Sequence, residues 1–146
     1  RWMPGCAVTT DVIVGFPGET EAEFAETLDF VRAARFARIH VFPYSRRSGT
    51  AADRMDGQIP EAVKHERAQK LIALGNQLER EYVSSMVNTV QTVLFEQPAG
   101  EGLAEGYTGE YVRVRAPAQP GSLIPVRILR AEDTLAVGEP TTVNGR

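Results

Sequence analysis

Residues 7–24, AVTTDVIVGFPGETEAEF, decide the fold. Ala7–Phe16 is rich in β-branched side chains and closes on Gly15 and Pro17-Gly18, which signal a turn. This predicts a buried strand. Thr20 then stands three residues before Glu23, the spacing of a capping box. Phe24, Leu28 and Val31 recur at i, i+4 and i+7, while Glu21, Glu26, Asp29 and Arg32 fall on other faces, so a helix is predicted over 20–35. Downstream, Arg38–Tyr44 (RIHVFPY) reads as a second strand. Strand, helix and strand in that order make a right-handed βαβ unit with parallel pairing.

Farther out, Ser45–Ile59 is polar, contains Gly49 and Gly57, and reads as a loop. Pro60 suits the first turn of a helix. Val63, Leu71, Leu74, Leu78 and Tyr82 form one stripe over residues 60–86, and Gly75 weakens that helix by about 1 kcal/mol relative to Ala. The patterning changes after Val87. Segments 88–96, 102–107, 110–116, 122–130 and 134–138 are short and strand-like, with Gly and Pro between them. Five such strands predict a small antiparallel barrel. Along 111–115, Val112 and Val114 take one face and Tyr111, Arg113 and Arg115 the other. The expected fold is thus an α/β piece over 1–86, an antiparallel five-stranded β-barrel over 87–140, and a frayed tail, 141–146.

Composition excludes several classes. The 146 residues are 42% hydrophobic and 24% charged, ordinary for a soluble globular chain. No run approaches the roughly 20 apolar residues of a membrane span. Residues 1–5 (RWMPG) do not read as a signal peptide, and the start without Met fits a fragment or a processed protein. The single cysteine, Cys6, can make no internal disulfide and cannot alone hold a cluster, and a cytoplasmic location is the expectation. His40 and His65 lie on different predicted elements and make no zinc pattern. Net charge is −3, with 11 basic and 12 acidic residues before Val87 and 5 and 7 from there on. Nucleic-acid binding therefore has to rest on local arrangement.

Three places offer chemistry. Gly15–Thr20 joins a strand end to a helix start, where α/β folds gather ligands, although a tight turn needs the same glycines. At the end of the second strand, Phe42 and Tyr44 can pack on a flat heterocycle or on the core. Arg46-Arg47 beside them can meet phosphate or water. In the predicted barrel, Tyr107, Tyr111, Arg113 and Arg115 combine aromatic faces with guanidinium groups, as RNA-binding barrels do, or form a strand face with no partner.

Three collinear segments, DVIVGFPGETEAEFAETLDFVR (Asp11–Arg32), HVFPYSRRSGTAA (His40–Ala52) and VKHERAQKL (Val63–Leu71), closely resemble the radical-SAM methylthiotransferases. GEYVRVRAP (Gly109–Pro117) resembles their terminal TRAM domain. The chain thus resembles a C-terminal fragment: the last βαβα part of a partial (β/α) barrel, then TRAM. The motif HVFPYSRR is most similar to the branch acting on N6-threonylcarbamoyladenosine at position 37 of tRNA. Isopentenyladenosine-37, ribosomal protein S12, and a stand-alone RNA-binding module are the alternatives.

The resemblance implies insertion of sulfur and then methyl at C2 of adenine, with S-adenosylmethionine and two [4Fe–4S] clusters in the parent enzyme. It puts Ile13, Gly15, Phe42 and Tyr44 on strands beside the adenine of S-adenosylmethionine, and Glu19 at an acidic position of the turn. It implies tRNA as partner, and the residues singled out above for their side-chain chemistry, Tyr107, Tyr111, Arg113, Arg115, Arg46 and Arg47, are expected to meet its anticodon stem-loop. No catalytic residue and no metal ligand is assigned. The CxxxCxxC motif and the three further cysteines of the family are absent, so the isolated chain is expected to bind no cluster and to be inactive. Its apolar strand residues Val12, Ile13, Val14, Ile39 and Val41 are expected to meet water and drive self-association.

Overall fold

A computed structural model describes residues 6–142. The chain divides into two compact units, one of residues 7–78 and the other of Glu79 onward with Cys6. The readings made on residues 1–5 and 143–146 lie outside the described residues.

In the first unit, β1 (Thr9–Val14) pairs in parallel with β2 (Arg38–Pro43), in the register Thr9↔Arg38, Asp11↔His40 and Ile13↔Phe42. Between them runs α1 (Glu21–Ala34). Its start is fixed locally. The Glu23 N–H donates to Thr20 Oγ1 at 3.2 Å, and the Thr20 N–H donates back to Glu23 Oε2 at 2.8 Å. Arg35 ends the helix in the left-handed conformation, φ 53°, and donates its N–H to the Val31 carbonyl. After a 3-10 turn at Ala52–Arg54, α2 (Glu61–Ser85) begins.

The core of this unit is Val14, Phe24, Val31, Ala68, Leu71, Leu74 and Leu78, with Val12, Ile39 and Val41 packed against it. Phe24, Val31 and Leu71 are almost fully buried, and each such side chain contributes about 1.5–3 kcal/mol. This corrects the expectation that Val12, Val14, Ile39 and Val41 meet water: they form the helix-covered face of the sheet. Ile13 remains exposed, together with Phe42. The inward face of α2 also departs from the expected stripe. It begins with two cations, Lys64 and Arg67, both buried, and Val63 is only half-buried.

The second unit contains a closed barrel in the order β3-β4-β5-β7-β6, formed by β3 (Val90–Pro98), β4 (Leu103–Thr108), β5 (Arg113–Pro117), β6 (Leu123–Glu132) and β7 (Leu135–Pro140). The expected all-antiparallel pairing needs one correction: β5 and β7 pair in parallel, Arg113↔Leu135 to Arg115↔Val137. β6 and β7 form a hairpin, so β7 returns along the same direction as β5 and closes the barrel between β5 and β6. Val93, Phe95, Val114, Val126, Ile128 and Ala136 fill the interior, joined by Val83 and Met86 from the end of α2 and beyond. Gly106 is needed on β4, because a Cβ there would run into the Leu94 carbonyl across the strand pair. Of the expected tail, Thr141 is tied by its N–H to the Pro125 carbonyl at 3.0 Å.

Candidate cofactor turn and nucleic-acid face

The turn after β1 is built by left-handed backbone and by a carboxylate that folds back on it. Gly15 and Gly18 have φ of 71° and 87°, a region that glycine enters at no steric cost. The Gly15 N–H donates to Glu19 Oε2 at 2.6 Å, and the Glu19 N–H donates to the Phe16 carbonyl at 2.9 Å. Gly18 donates to the Gly57 carbonyl at 2.9 Å, which ties the loop before α2 to the turn.

Two cations of α2 brace this turn. The Lys64 stem packs on Gly15 so closely that a Cβ there would sit 2.5 Å from Lys64 Cγ. Lys64 Nζ meets Glu61 Oε1 at 2.6 Å and lies 5.3 Å from the centroid of the Tyr44 ring, a cation–π distance. Arg67 donates through one terminal nitrogen to the Glu19 carbonyl (3.0 Å) and to Glu19 Oε2 (2.6 Å), and through the other to Glu21 Oε2 at 3.2 Å. Burial of the guanidinium works against its charge, but hydrogen bonds to Glu19 and Glu21, with their negative charges, outweigh it and raise its pKa further above an already high value. Arg67 therefore stays cationic at any working pH.

The five residues read from the sequence as a cofactor site share this neighbourhood and play different parts in it. Ile13 and Phe42 are register partners on adjacent strands, 57% and 50% exposed, on the sheet face that the helices leave open. Gly15 is buried, and Glu19 is half-buried with Oε2 engaged by Gly15 and Arg67. Tyr44 is buried, its ring edge-on to Phe16 at 5.3 Å and its N–H on the Val14 carbonyl at 2.8 Å. Tyr44 Oη and Arg67 Nε have no hydrogen-bond partner among the described residues. Sequence reasoning passed over Lys64 and Arg67, since charges near a helix start usually face water. It also passed over the Asp11↔His40 row next to Ile13↔Phe42 on the open face, which the residue alternation of both strands encodes.

The residues singled out for RNA fall in three places. Tyr107 on β4 is register partner of Arg113 on β5, and Glu105 of Arg115. Tyr111 is not on a strand, which corrects the expected alternation. It sits in the β4–β5 turn with φ 61°, 75% exposed. The cause is Thr108, whose hydroxyl accepts the N–H groups of Glu110 and Val112 at 3.2 Å and holds residues 109–112 as a turn. Val112, Val114 and Ala116 do face the interior. The two arginines share an anion. Arg115 binds Glu105 Oε1 through Nε (3.0 Å) and a terminal nitrogen (2.7 Å), and Arg113 reaches Glu105 Oε2 at 4.0 Å. Arg46 is paired with Asp53, through Nε to Oδ1 at 2.9 Å, and Arg47 is exposed on the same loop. Leu94 and Leu123 continue the Tyr107–Arg113 row across β3 and β6, both exposed, and sequence reasoning did not include them.

Among the described residues no group of three or more His, Cys, Asp and Glu side chains could hold a metal ion. Among them, too, no helix is long and apolar enough to cross a membrane.

A parallel-sheet fragment with a braced βα turn, followed by a small closed barrel, defines the structural class. No protein-family model matches the chain. Curated relatives do. The threonylcarbamoyladenosine tRNA methylthiotransferase MtaB of Bacillus subtilis (strain 168) is 46% identical over 136 residues, 88% of this chain and 30% of that protein. The tRNA-2-methylthio-N(6)-dimethylallyladenosine synthase of Mycobacterium bovis (strain ATCC BAA-935 / AF2122/97) is 47% identical over 122 residues, 84% of this chain and 23% of its own length. That of Mycobacterium ulcerans (strain Agy99) is 43% identical over 141 residues, 88% of this chain and 26% of its own length. The chain is thus a homologue of the tRNA methylthiotransferases and matches a C-terminal portion of them, spanning under a third of the length of these relatives.

Proposed function

We propose that the chain is the C-terminal part of a tRNA methylthiotransferase that converts N6-threonylcarbamoyladenosine-37 of tRNA to its 2-methylthio derivative. The observation that supports this best is the exposed Ile13–Phe42 pair beside the braced Gly15–Glu19 turn, in a chain 46% identical to a threonylcarbamoyladenosine tRNA methylthiotransferase. Two adjacent apolar side chains on an open sheet face, at the C-terminal ends of parallel strands, suit the flat face of a purine such as the adenine of S-adenosylmethionine. In this reading Ile13 and Phe42 contact the adenine, Gly15 turns the backbone beside it and makes room for the Lys64 stem, Tyr44 packs beneath the turn, and Glu19 fixes the turn's shape.

When bound to the parent enzyme, S-adenosylmethionine and two [4Fe–4S] clusters would supply the radical, and S-adenosylmethionine the methyl, for methylthiolation at C2 of the substrate adenine. The residues described here suit the S-adenosylmethionine side and not the clusters, for which Cys6 offers one thiolate. The chain's own part is to bind and orient, with an α/β piece over 1–86 and an RNA-binding barrel domain over 87–140. Tyr107, Tyr111, Arg113 and Arg115, with Arg46 and Arg47, meet the anticodon stem-loop in the cytoplasm. The exposed Ile13–Phe42 face supports self-association of the isolated chain.

Anaerobic reconstitution followed by assay for 5′-deoxyadenosine tests the reading. The parent enzyme should cleave S-adenosylmethionine in the presence of undermodified tRNA, and the 146-residue chain should not exceed the no-enzyme control. Cleavage by the chain itself, or none by the parent, would contradict it.

A further inference from the structure

We propose that Arg67 is a positioning residue for the S-adenosylmethionine-facing turn, acting through the Glu19 carboxylate. This rests on the cofactor reading above. The geometry is a relay of charged hydrogen bonds. Arg67 is 5% exposed and reaches Glu19 Oε2 at 2.6 Å. The same oxygen accepts the Gly15 N–H at 2.6 Å. Arg67 also takes the Glu19 main-chain carbonyl at 3.0 Å, so both ends of that residue are held. Phe24, a core residue, lies under the guanidinium at 5.4 Å and limits its movement.

The arrangement does more than fill space. Gly15 is two residues from Ile13, and its left-handed φ sets where the chain turns away from the sheet face that carries Ile13 and Phe42. A carboxylate shared between a main-chain N–H and a buried guanidinium is held more tightly than one bound to either alone. Loss of the guanidinium would leave Glu19 half-buried without its cation, and the carboxylate would move toward water. Gly15 would then lose its acceptor and the turn its single shape. Lysine cannot replace Arg67 fully, because one ammonium lacks the planar fork that spans the carbonyl, Glu19 and Glu21 together.

The test uses Arg67→Gln, Arg67→Lys, Glu19→Gln and the double variant Arg67→Gln/Glu19→Gln, with Leu74→Ala as a core control for lost stability. In the 146-residue chain, amide hydrogen exchange at Gly15 should quicken about ten- to hundredfold in Arg67→Gln and Glu19→Gln, the loss expected of one charged hydrogen bond. Arg67→Lys should fall between them and the parent sequence. The double variant should be no worse than either single change, since the two groups act in series. In the parent enzyme the same changes should raise KM for S-adenosylmethionine about tenfold with kcat within about twofold, and Leu74→Ala should do neither. Gly15 exchange no faster in Arg67→Gln than in Leu74→Ala, or additive losses in the double variant, would overturn the proposal. An unmodified parent enzyme without turnover would overturn the cofactor reading instead, and the Gly15 exchange would still decide the brace.

Discussion

At the scale of single residues, the chain repeatedly satisfies main-chain groups with nearby acidic and hydroxyl side chains. Thr20 and Glu23 close the start of α1, Glu19 takes the Gly15 N–H, and Thr108 holds the β4–β5 turn. The Thr20 N–H and hydroxyl hold the Glu23 carboxyl below its ordinary value of 4.5, against a smaller opposing effect of burial. A carboxyl whose pKa is lower in the folded state adds stability above its unfolded pKa and loses it as pH falls through the folded one. The gap in melting temperature between the natural sequence and Glu23→Gln should therefore be widest near neutral pH. It should close as pH drops below about 4.5, the unfolded carboxylate value. Thermal melts from pH 7 to pH 3 check this, and a gap independent of pH would contradict it. The Thr20–Glu23 box was legible in the sequence because its partners are three residues apart. The Arg67–Glu19 pair was not, because 48 residues separate its members and nothing local announces which charged side of α2 turns inward.

At the scale of elements, period and punctuation carried the most information. The β-branched run of β1, the capped helix α1 and the five short strands all lie near their expected positions, since each depends on neighbours within one or two turns of chain. The parallel β5–β7 pairing escaped, because pairing order is set by how the barrel closes rather than by any one strand. The alternation at 111–115 held for Val112 and Val114 and failed at Tyr111, where Thr108 draws the backbone into a turn. On the β4–β5 pair, Glu105 largely neutralises Arg115 and lies near Arg113. RNA binding by this face should therefore be weak and salt-sensitive. The slope of log affinity on log salt should be about −2 to −3, as for two or three phosphate contacts. Arg113→Ala with Arg115→Ala should lower both affinity and slope, whereas Glu105→Gln should raise affinity by releasing Arg115. Fluorescence anisotropy with an anticodon stem-loop measures both. Unchanged binding by the double arginine variant would remove this face as the RNA site.

At the scale of the whole molecule, function was legible only through resemblance. Composition pointed away from nucleic acid, with net charge −3 and more acidic than basic residues on both sides of Val87. The residues themselves reached no further than an α/β piece and a small barrel. Collinear motifs led to the methylthiotransferases, and relatives 43–47% identical over most of this chain bear that out. The branch is the finer question, since relatives named for threonylcarbamoyladenosine and for dimethylallyladenosine match at similar identity. Mass-spectrometric nucleoside analysis of total tRNA, from cells in which the gene encoding this chain is deleted, addresses it most directly. The account predicts loss of 2-methylthio-N6-threonylcarbamoyladenosine, with N6-threonylcarbamoyladenosine accumulating in its place and the 2-methylthio derivative of the dimethylallyl nucleoside unchanged. An unaltered level of 2-methylthio-N6-threonylcarbamoyladenosine in the deletion strain would contradict it.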